Sequence, residues 1–137
     1  MRSLHAKRTW ILAVMLVAGC LLVTRAGAHD VEKQVFLVVD NDEIIASNTR
    51  LGRFDRLKLG PRETLLDYRA ANAVAVVVTN RRFVAYGALY GSWHSRRAHA
   101  NEQVESLEVA DYSATLVTCD RILNYSGRTG VWSEARR

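Results

Sequence analysis

Two cysteines and one proline are all that the 137 residues contain of either type. Two thiols exclude a disulfide-rich scaffold and cannot supply a four-cysteine zinc site. So little proline, with only eight glycines, excludes a collagen-like or low-complexity chain. No Gly-rich phosphate loop, nucleophile elbow or zinc motif occurs. Nor does any segment keep the i, i+3, i+4, i+7 apolar spacing of a helical repeat over an adequate length. What is present is ordinary: 49% apolar and 24% charged residues, as in a globular protein of one domain.

The formal charge of +5, from 19 Lys and Arg against 14 Asp and Glu, invites a nucleic-acid reading until the charges are located. Arg2, Lys7, Arg8 and Arg25 fall within residues 1–28 and no acid does, which leaves 15 basic against 14 acidic residues from His29 onward. The basicity belongs mainly to the N-terminal segment, and no nucleic-acid partner is expected.

That segment has a basic start, an apolar run from Trp10 to Val23 and the small-x-small step Ala26-Gly27-Ala28. The run is 14 residues long, short of the roughly 20 needed to cross a bilayer but the right size for the core of a secretory signal. Residues 1–28 therefore read as a signal peptide cleaved between Ala28 and His29, which would place 29–137 in the periplasm or outside the cell. Two alternatives also lead out of the cytoplasm. Val17-Ala18-Gly19-Cys20 resembles a bacterial lipobox, with Cys20 as the lipidated residue and a lipid anchor to the envelope. An uncleaved anchor is the other, and a membrane association is expected only in these two cases.

From Val35 onward the chain is organised by a repeat. At a shift of 39 residues, without gaps, Val35, Val38, Val39, Asn41, Ala46, Gly52, Glu63 and Ala71 fall on Val74, Val77, Val78, Asn80, Ala85, Gly91, Glu102 and Ala110. A second shift of 39 carries Ala75, Val78, Thr79, Arg82, Tyr86, Gly91 and Trp93 onto Ala114, Val117, Thr118, Arg121, Tyr125, Gly130 and Trp132. Each unit reads as strands. Val74-Ala75-Val76-Val77-Val78 is apolar on both faces, as in a strand covered on both sides. Thr79-Asn80-Arg81-Arg82 and its counterparts at 40–43 and 118–121 read as tight hairpins. A second strand runs from Phe83 to Leu89, a third starts at Trp93, and a fourth spans Gln103 to Ala110 after a turn at Asn101.

Four hairpin-linked strands in about 40 residues is the content of a propeller blade. The Gly-x-aromatic steps Gly52-Arg53-Phe54, Gly91-Ser92-Trp93 and Gly130-Val131-Trp132 resemble the second-to-third strand junction of β-propeller families such as WD40, quinoprotein-type and tachylectin-like repeats. The resemblance runs from about Val35 to the C-terminus and is one of pattern. The Gly-His and Trp-Asp dipeptides of WD40 are absent, so no family's ligand residues carry over. It implies an all-β chain of nearly three blades, about 35–72, 73–112 and 113–137, in one domain spanning 29–137. A propeller ring usually takes about four to eight blades. A homo-oligomer, a partner protein or a longer relative is thus expected to complete the ring.

Candidate binding residues repeat with the blades. Phe54, Trp93 and Trp132 form an aromatic column, read either as packing between sheets or as a sugar-stacking platform for a glycan. Lys58, Arg97 and Arg136 form a basic column, read either as solvated edges that discourage sheet pairing or as a site for an anionic polymer, lipid headgroups or a partner. His94 and His99, five apart, would fall on opposite faces of a regular strand, and His29 has no second placed histidine, so no metal is expected. Cys119 replaces Asn41 and Asn80 in the repeat and reads as an unpaired thiol or a cross-link between chains. No catalytic residue and no cofactor is expected. The resulting expectation is an exported, non-enzymatic binding or scaffolding module; a lectin-like module and a secreted enzyme with a site on the propeller face are the alternatives.

Overall fold

The computed structural model describes residues 32–137; residues 1–31, with the readings placed on Cys20, Ala28 and His29, lie outside the described residues. The chain is all-β, with eleven strands and no helix among the described residues. They are β1(Val35–Asp40), β2(Glu43–Asn48), β3(Arg53–Lys58), β4(Leu65–Ala70), β5(Val74–Thr79), β6(Arg82–Gly87), β7(Ser92–Arg97), β8(Val104–Val109), β9(Ser113–Thr118), β10(Arg121–Ser126) and β11(Val131–Arg136).

The 39-residue period recurs in the backbone itself. Gly52, Gly91 and Gly130 each adopt a left-handed φ, between 59° and 69°, in the turns after β2, β6 and β10, where a side chain would be strained. Arg62 and Asn101, also 39 apart, share φ values of 62° and 59° in the connections before β4 and β8. At the β5–β6 turn the Thr79 hydroxyl accepts hydrogen bonds from the backbone of Arg81 and Arg82 at 3.2 and 3.0 Å. Thr118 does the same for Asp120 and Arg121 at 3.3 and 3.1 Å.

All pairing is antiparallel, in three sheets ordered β1-β2-β3, β4-β5-β6-β7 and β8-β9-β10-β11. This corrects the blade boundaries expected at 35–72, 73–112 and 113–137. β4 and β8, assigned to the end of one unit, are the first strands of the next sheet. The local reason is the connections: β4 turns straight into β5, with the Ala71 N–H donating to the Val74 carbonyl at 2.9 Å, while six residues carry the chain from β3 to β4. A period can be read from a self-alignment, but its phase cannot, because every starting point aligns equally well. The three-stranded sheet is consequently the first, and the last has all four strands. No ring closes within the described residues; the sheets are propeller-like blades in an incomplete set.

Successive sheets stack face to face, and the alternation of side chains along each strand supplies both faces. Between the first two sheets lie Val35, Ile44, Ala46 and Leu57 on one side and Ala75, Val77, Val84, Tyr86 and the half-buried Trp93 on the other. Between the second and third lie Val74, Val76, Val78, Phe83 and Ala85 against Ala114, Leu116, Leu123, Tyr125 and Trp132. The second set of receiving residues is the first set moved on by 39. β5 serves both interfaces and is buried along its whole length, as its unbroken apolar run requires. Full burial of each Val, Leu or Phe stabilises by about 1.5–3 kcal/mol, so these two layers dominate the fold. Backbone bonds reinforce the stack in the same register: Gln34 N–H donates to Asn72 O at 2.6 Å and Ala73 N–H to Asp111 O at 3.0 Å.

Candidate functional site

The aromatic column separates into two kinds of residue. Trp93 and Trp132 lean on the preceding sheet, where their indole N–H groups donate to the carbonyls of Asp55 at 3.4 Å and His94 at 2.9 Å. Trp132 is 6% exposed, whereas Phe54, with no sheet in front of it, is 70% exposed. Tyr86 and Tyr125 stack beside the two tryptophans at 5.0 and 5.3 Å. Burial drives both phenols up to about 12, and for Tyr86 the hydrogen bond to the Asp55 carboxylate adds to the effect. Two of the three column residues therefore serve inter-sheet packing, and the column offers no aromatic platform repeated once per blade.

The basic column closes three strands: Lys58 ends β3, Arg97 ends β7, and Arg136 lies at the end of β11. What these residues contribute locally is a carbonyl. Arg82 donates to Lys58 O at 3.0 Å and Arg121 to Arg97 O at 2.8 Å. Each of these two arginines is also gripped by a glutamate from the connection that enters its sheet. Arg82 Nε meets Glu63 Oε1 at 2.7 Å, and Arg121 Nε meets Glu102 Oε1 at 2.9 Å. Thr79 and Thr118 donate their hydroxyls to the same two carboxylates at 2.9 and 2.7 Å. Burial opposes ionisation of Glu102, but the Arg121 guanidinium, the His99 N–H and the Thr118 hydroxyl outweigh it and hold the carboxyl at about 2. Glu63 is lowered by the same balance, and the bond from Glu102 raises Arg121.

These Glu–Arg–Thr clamps are not evident from the sequence alone. Glu63 aligns with Glu102, Thr79 with Thr118 and Arg82 with Arg121, but alignment does not say that the three columns meet. The available signal is that a carboxylate, a hydroxyl and a guanidinium recur together.

Against the second clamp opens a cavity of about 1050 Å³. Its walls include Arg81 from the β5–β6 turn, Arg96 and Arg97 from the end of β7, His99 from the following connection, and Arg121 with Glu134. Arg121 is neutralised by Glu102 and by Glu134, the latter at 2.7 Å. Arg81, Arg96 and Arg97 have no carboxylate within salt-bridge distance among the described residues, and Arg96 reaches only the Trp132 carbonyl at 3.3 Å. Arg81, Arg96 and Arg97 thus line the groove without a carboxylate partner among the described residues; Arg96 lies on the face of β7 that meets the third sheet, whereas Arg97, on the opposite face, meets the groove through its carbonyl. Of the basic column only Arg97 reaches it; Lys58 and Arg136 do not line it.

The histidines are placed differently from the strand-based expectation. β7 ends at Arg97, so His99 is on a connection while His94 sits on the strand. His99 Nδ1 lies 3.5 Å from Asp120 Oδ2 and 4.0 Å from Glu102 Oε2, a grouping with metal-ligand chemistry. Both Glu102 oxygens are, however, already taken by Arg121, Thr118 and the His99 N–H, and a cation there would meet the guanidinium. Ser92 Oγ is 3.4 Å from His94 Nε2, and His94 Nδ1 is 2.9 Å from the Tyr125 hydroxyl. A catalytic triad would have a carboxylate where this chain has Tyr125. Cys119 is exposed in the β9–β10 turn, with Sγ 3.5 Å from Asp120 Oδ1.

No family model matches the chain, and no curated protein does. Among solved structures, a chain of an S. cerevisiae assembly of dbp5 bound to nup159, gle1, IP6 and ADP is similar at 15% identity and a TM-score of 0.38. The match covers 74% of this chain and 29% of that one, so the chain spans less than a third of the protein it resembles there.

Proposed function

We propose that the protein is an exported, non-enzymatic binding module of propeller-like blades that holds an acidic polysaccharide in the arginine groove between its second and third sheets. The observation that carries the reading is the exposure of Arg81, Arg96 and Arg97 around one 1050 Å³ opening, without carboxylates to neutralise them among the described residues. Guanidinium groups match sulfate and carboxylate in planar, bidentate fashion, and an extended polymer engages several at once. An exported chain meets polyanions of this kind rather than nucleic acid, and the near-neutral balance beyond His29 makes the cluster a local feature rather than part of a general basicity.

The lectin reading that relies on the aromatic column has less support, because Trp93 and Trp132 are engaged in packing. For the enzyme reading, Ser92 and His94 are the nearest approach to a nucleophile and base. His94 stands where the preceding blade has Asp55, the partner of its packing tyrosine, and that role accounts for its position.

Binding of the purified protein to dextran sulfate and to polygalacturonate, with neutral dextran as control, tests the proposal. Retention should fall as salt rises, since exposed charges are screened. The double variant Arg81→Glu, Arg96→Glu should lose at least about tenfold in affinity, which is about 1.4 kcal/mol. Arg50→Glu, exposed and outside the groove, should bind as the parent does. Equal binding to neutral dextran, or a double variant that binds like the parent, refutes the reading.

A further inference from the structure

The two sheets at the ends of the stack each expose one face, and the two faces differ in kind. On the last sheet the free face is centred on Thr115, Asn124 and Ser133, cross-strand neighbours that bond to one another: Thr115 Oγ1 lies 3.4 Å from Asn124 Oδ1, and Ser133 Oγ donates to Asn124 O at 3.4 Å. The same positions one repeat earlier are Val76, Ala85 and His94, and there Val76 and Ala85 are buried. That row is polar, as in the capping unit of a repeat stack, while the rows beside it expose Ile122 at 39% and Val131 at 58%.

The first sheet has no such cap. Its free face has the cross-strand rows Phe36, Ser47, Phe54 and Val38, Ile45, Arg56, followed by Asp40, Glu43, Lys58. Phe36, Val38 and Phe54 are 43%, 52% and 70% exposed. The corresponding positions of the second sheet, Ala75, Val77, Val84, Tyr86 and Trp93, are covered by a neighbouring sheet, and so are those of the third. An apolar sheet face with a charged row at one end has the composition of an interface.

We infer that this face is covered by the same face of a second copy of the chain, related by a two-fold axis running along β2. Such an axis lays β1 of one copy over β3 of the other without changing strand direction. Phe36 then meets Phe54, Ile45 meets Ile45 on the axis, and Asp40 meets Lys58 at both ends of the row. The end row is self-complementary in charge and the Phe36, Ile45 and Phe54 contacts in hydrophobicity, while the same axis sets Val38 against Arg56, whose charge Glu43 neutralises. Glu43, which this axis sets against its own counterpart, is already neutralised by Arg56 within its sheet. Head-to-tail stacking toward a shared ring would set this face on the polar row Thr115, Asn124 and Ser133 of the last sheet, which offers its phenylalanines no apolar partner at the centre. The inference is independent of the arginine groove, which lies at the other sheet junction.

The test is the solution mass of the purified protein by light scattering across a concentration series, beside its thermal melt. The parent should give twice the chain mass. Phe54→Glu and Phe36→Glu should each halve it and lower the melting temperature no further than that of the parent diluted until it dissociates, whereas Ile122→Glu, on the far face, should leave the dimer intact. Lys58→Glu should weaken the dimer, and adding Asp40→Lys should restore it. With Cys20 and Cys119 replaced by serine, Ile45→Cys should cross-link into a disulfide dimer under mild oxidation. A parent that stays monomeric to near-millimolar concentration overturns the inference, as does a dimer that Phe54→Glu leaves unchanged. If Ile122→Glu also breaks the dimer and mixing the Phe54→Glu and Ile122→Glu variants restores it, the contact is head-to-tail and the two-fold arrangement is wrong.

Discussion

The Tyr86 hydroxyl donates to the Asp55 carboxylate at 2.5 Å, and 39 residues later the Tyr125 hydroxyl meets His94 at 2.9 Å in the same position of the next interface. The tyrosine is kept and its partner is exchanged, an acid for an imidazole, so the interface repeats as geometry and not as a particular charge pair. Around Tyr86 the carboxylate is supported by Arg53 at 3.0 Å, and Asn48 donates to the phenol oxygen at 2.9 Å. Among the described residues Tyr125 has only His94 as a hydrogen-bond partner.

Removing the two hydroxyls should therefore have unequal effects. Tyr86→Phe takes away a bond to a charged acceptor and should cost about 2 kcal/mol, while Tyr125→Phe should cost about 1 kcal/mol. Urea melts of the two variants with unchanged m-values check this. Equal losses would mean that the Asp55 network adds nothing beyond a neutral hydrogen bond.

One repeat position should also give opposite outcomes in different sheets. Trp132→Ala opens a cavity between the second and third sheets and should destabilise by about 3–5 kcal/mol. Phe54→Ala removes a side chain that contacts no preceding sheet and should change monomer stability by less than about 0.5 kcal/mol. Thermal unfolding at a concentration low enough to dissociate any dimer makes the comparison. A large loss at Phe54 would show that its exposed ring is supported within its own sheet.

The Glu102–Arg121 clamp makes stability depend on acid pH. The carboxyl is held at about 2, against 4.5 for a free glutamate, so its stabilisation is complete above about pH 4.5 and is lost as pH falls toward 2. Glu102→Gln should flatten that acid limb and lower stability at neutral pH by about 3 kcal/mol. That is the low end for breaking a buried pair, because Glu134 still faces Arg121. Chemical denaturation from pH 6 to pH 2 tracks both effects, and an unchanged acid limb in the variant would mean that Glu102 is not its source.

Repetition makes most of this architecture readable. Tyr86 with Tyr125, Trp93 with Trp132 and the three left-handed glycines occupy equivalent columns of the sequence, and the structure uses each column the same way. The sheet boundaries are hidden because a period has no phase, and β4 declares its sheet only through its bond pattern to β5. The clamps are hidden because Glu63 and Arg82 lie 19 residues apart and meet only when the connection from β3 folds back over the β5–β6 turn. The groove is hidden for a related reason. Arg81 stands in the β5–β6 turn and Arg97 at the end of β7, and it is the β6–β7 pairing, which sets Arg82 opposite Arg97, that brings them together beside Arg121 of the third sheet.

The central claim is that the arginine groove between the second and third sheets is where this module takes an anionic polymer. Amide chemical shifts recorded while a sulfated oligosaccharide is titrated into the purified protein test it most directly. Saturable shifts should be confined to Arg81, Arg96 to Asn101 and Arg121, with the free face of the first sheet around Phe36 and Phe54 silent. Shifts centred on that face, or none at saturating oligosaccharide, would contradict it.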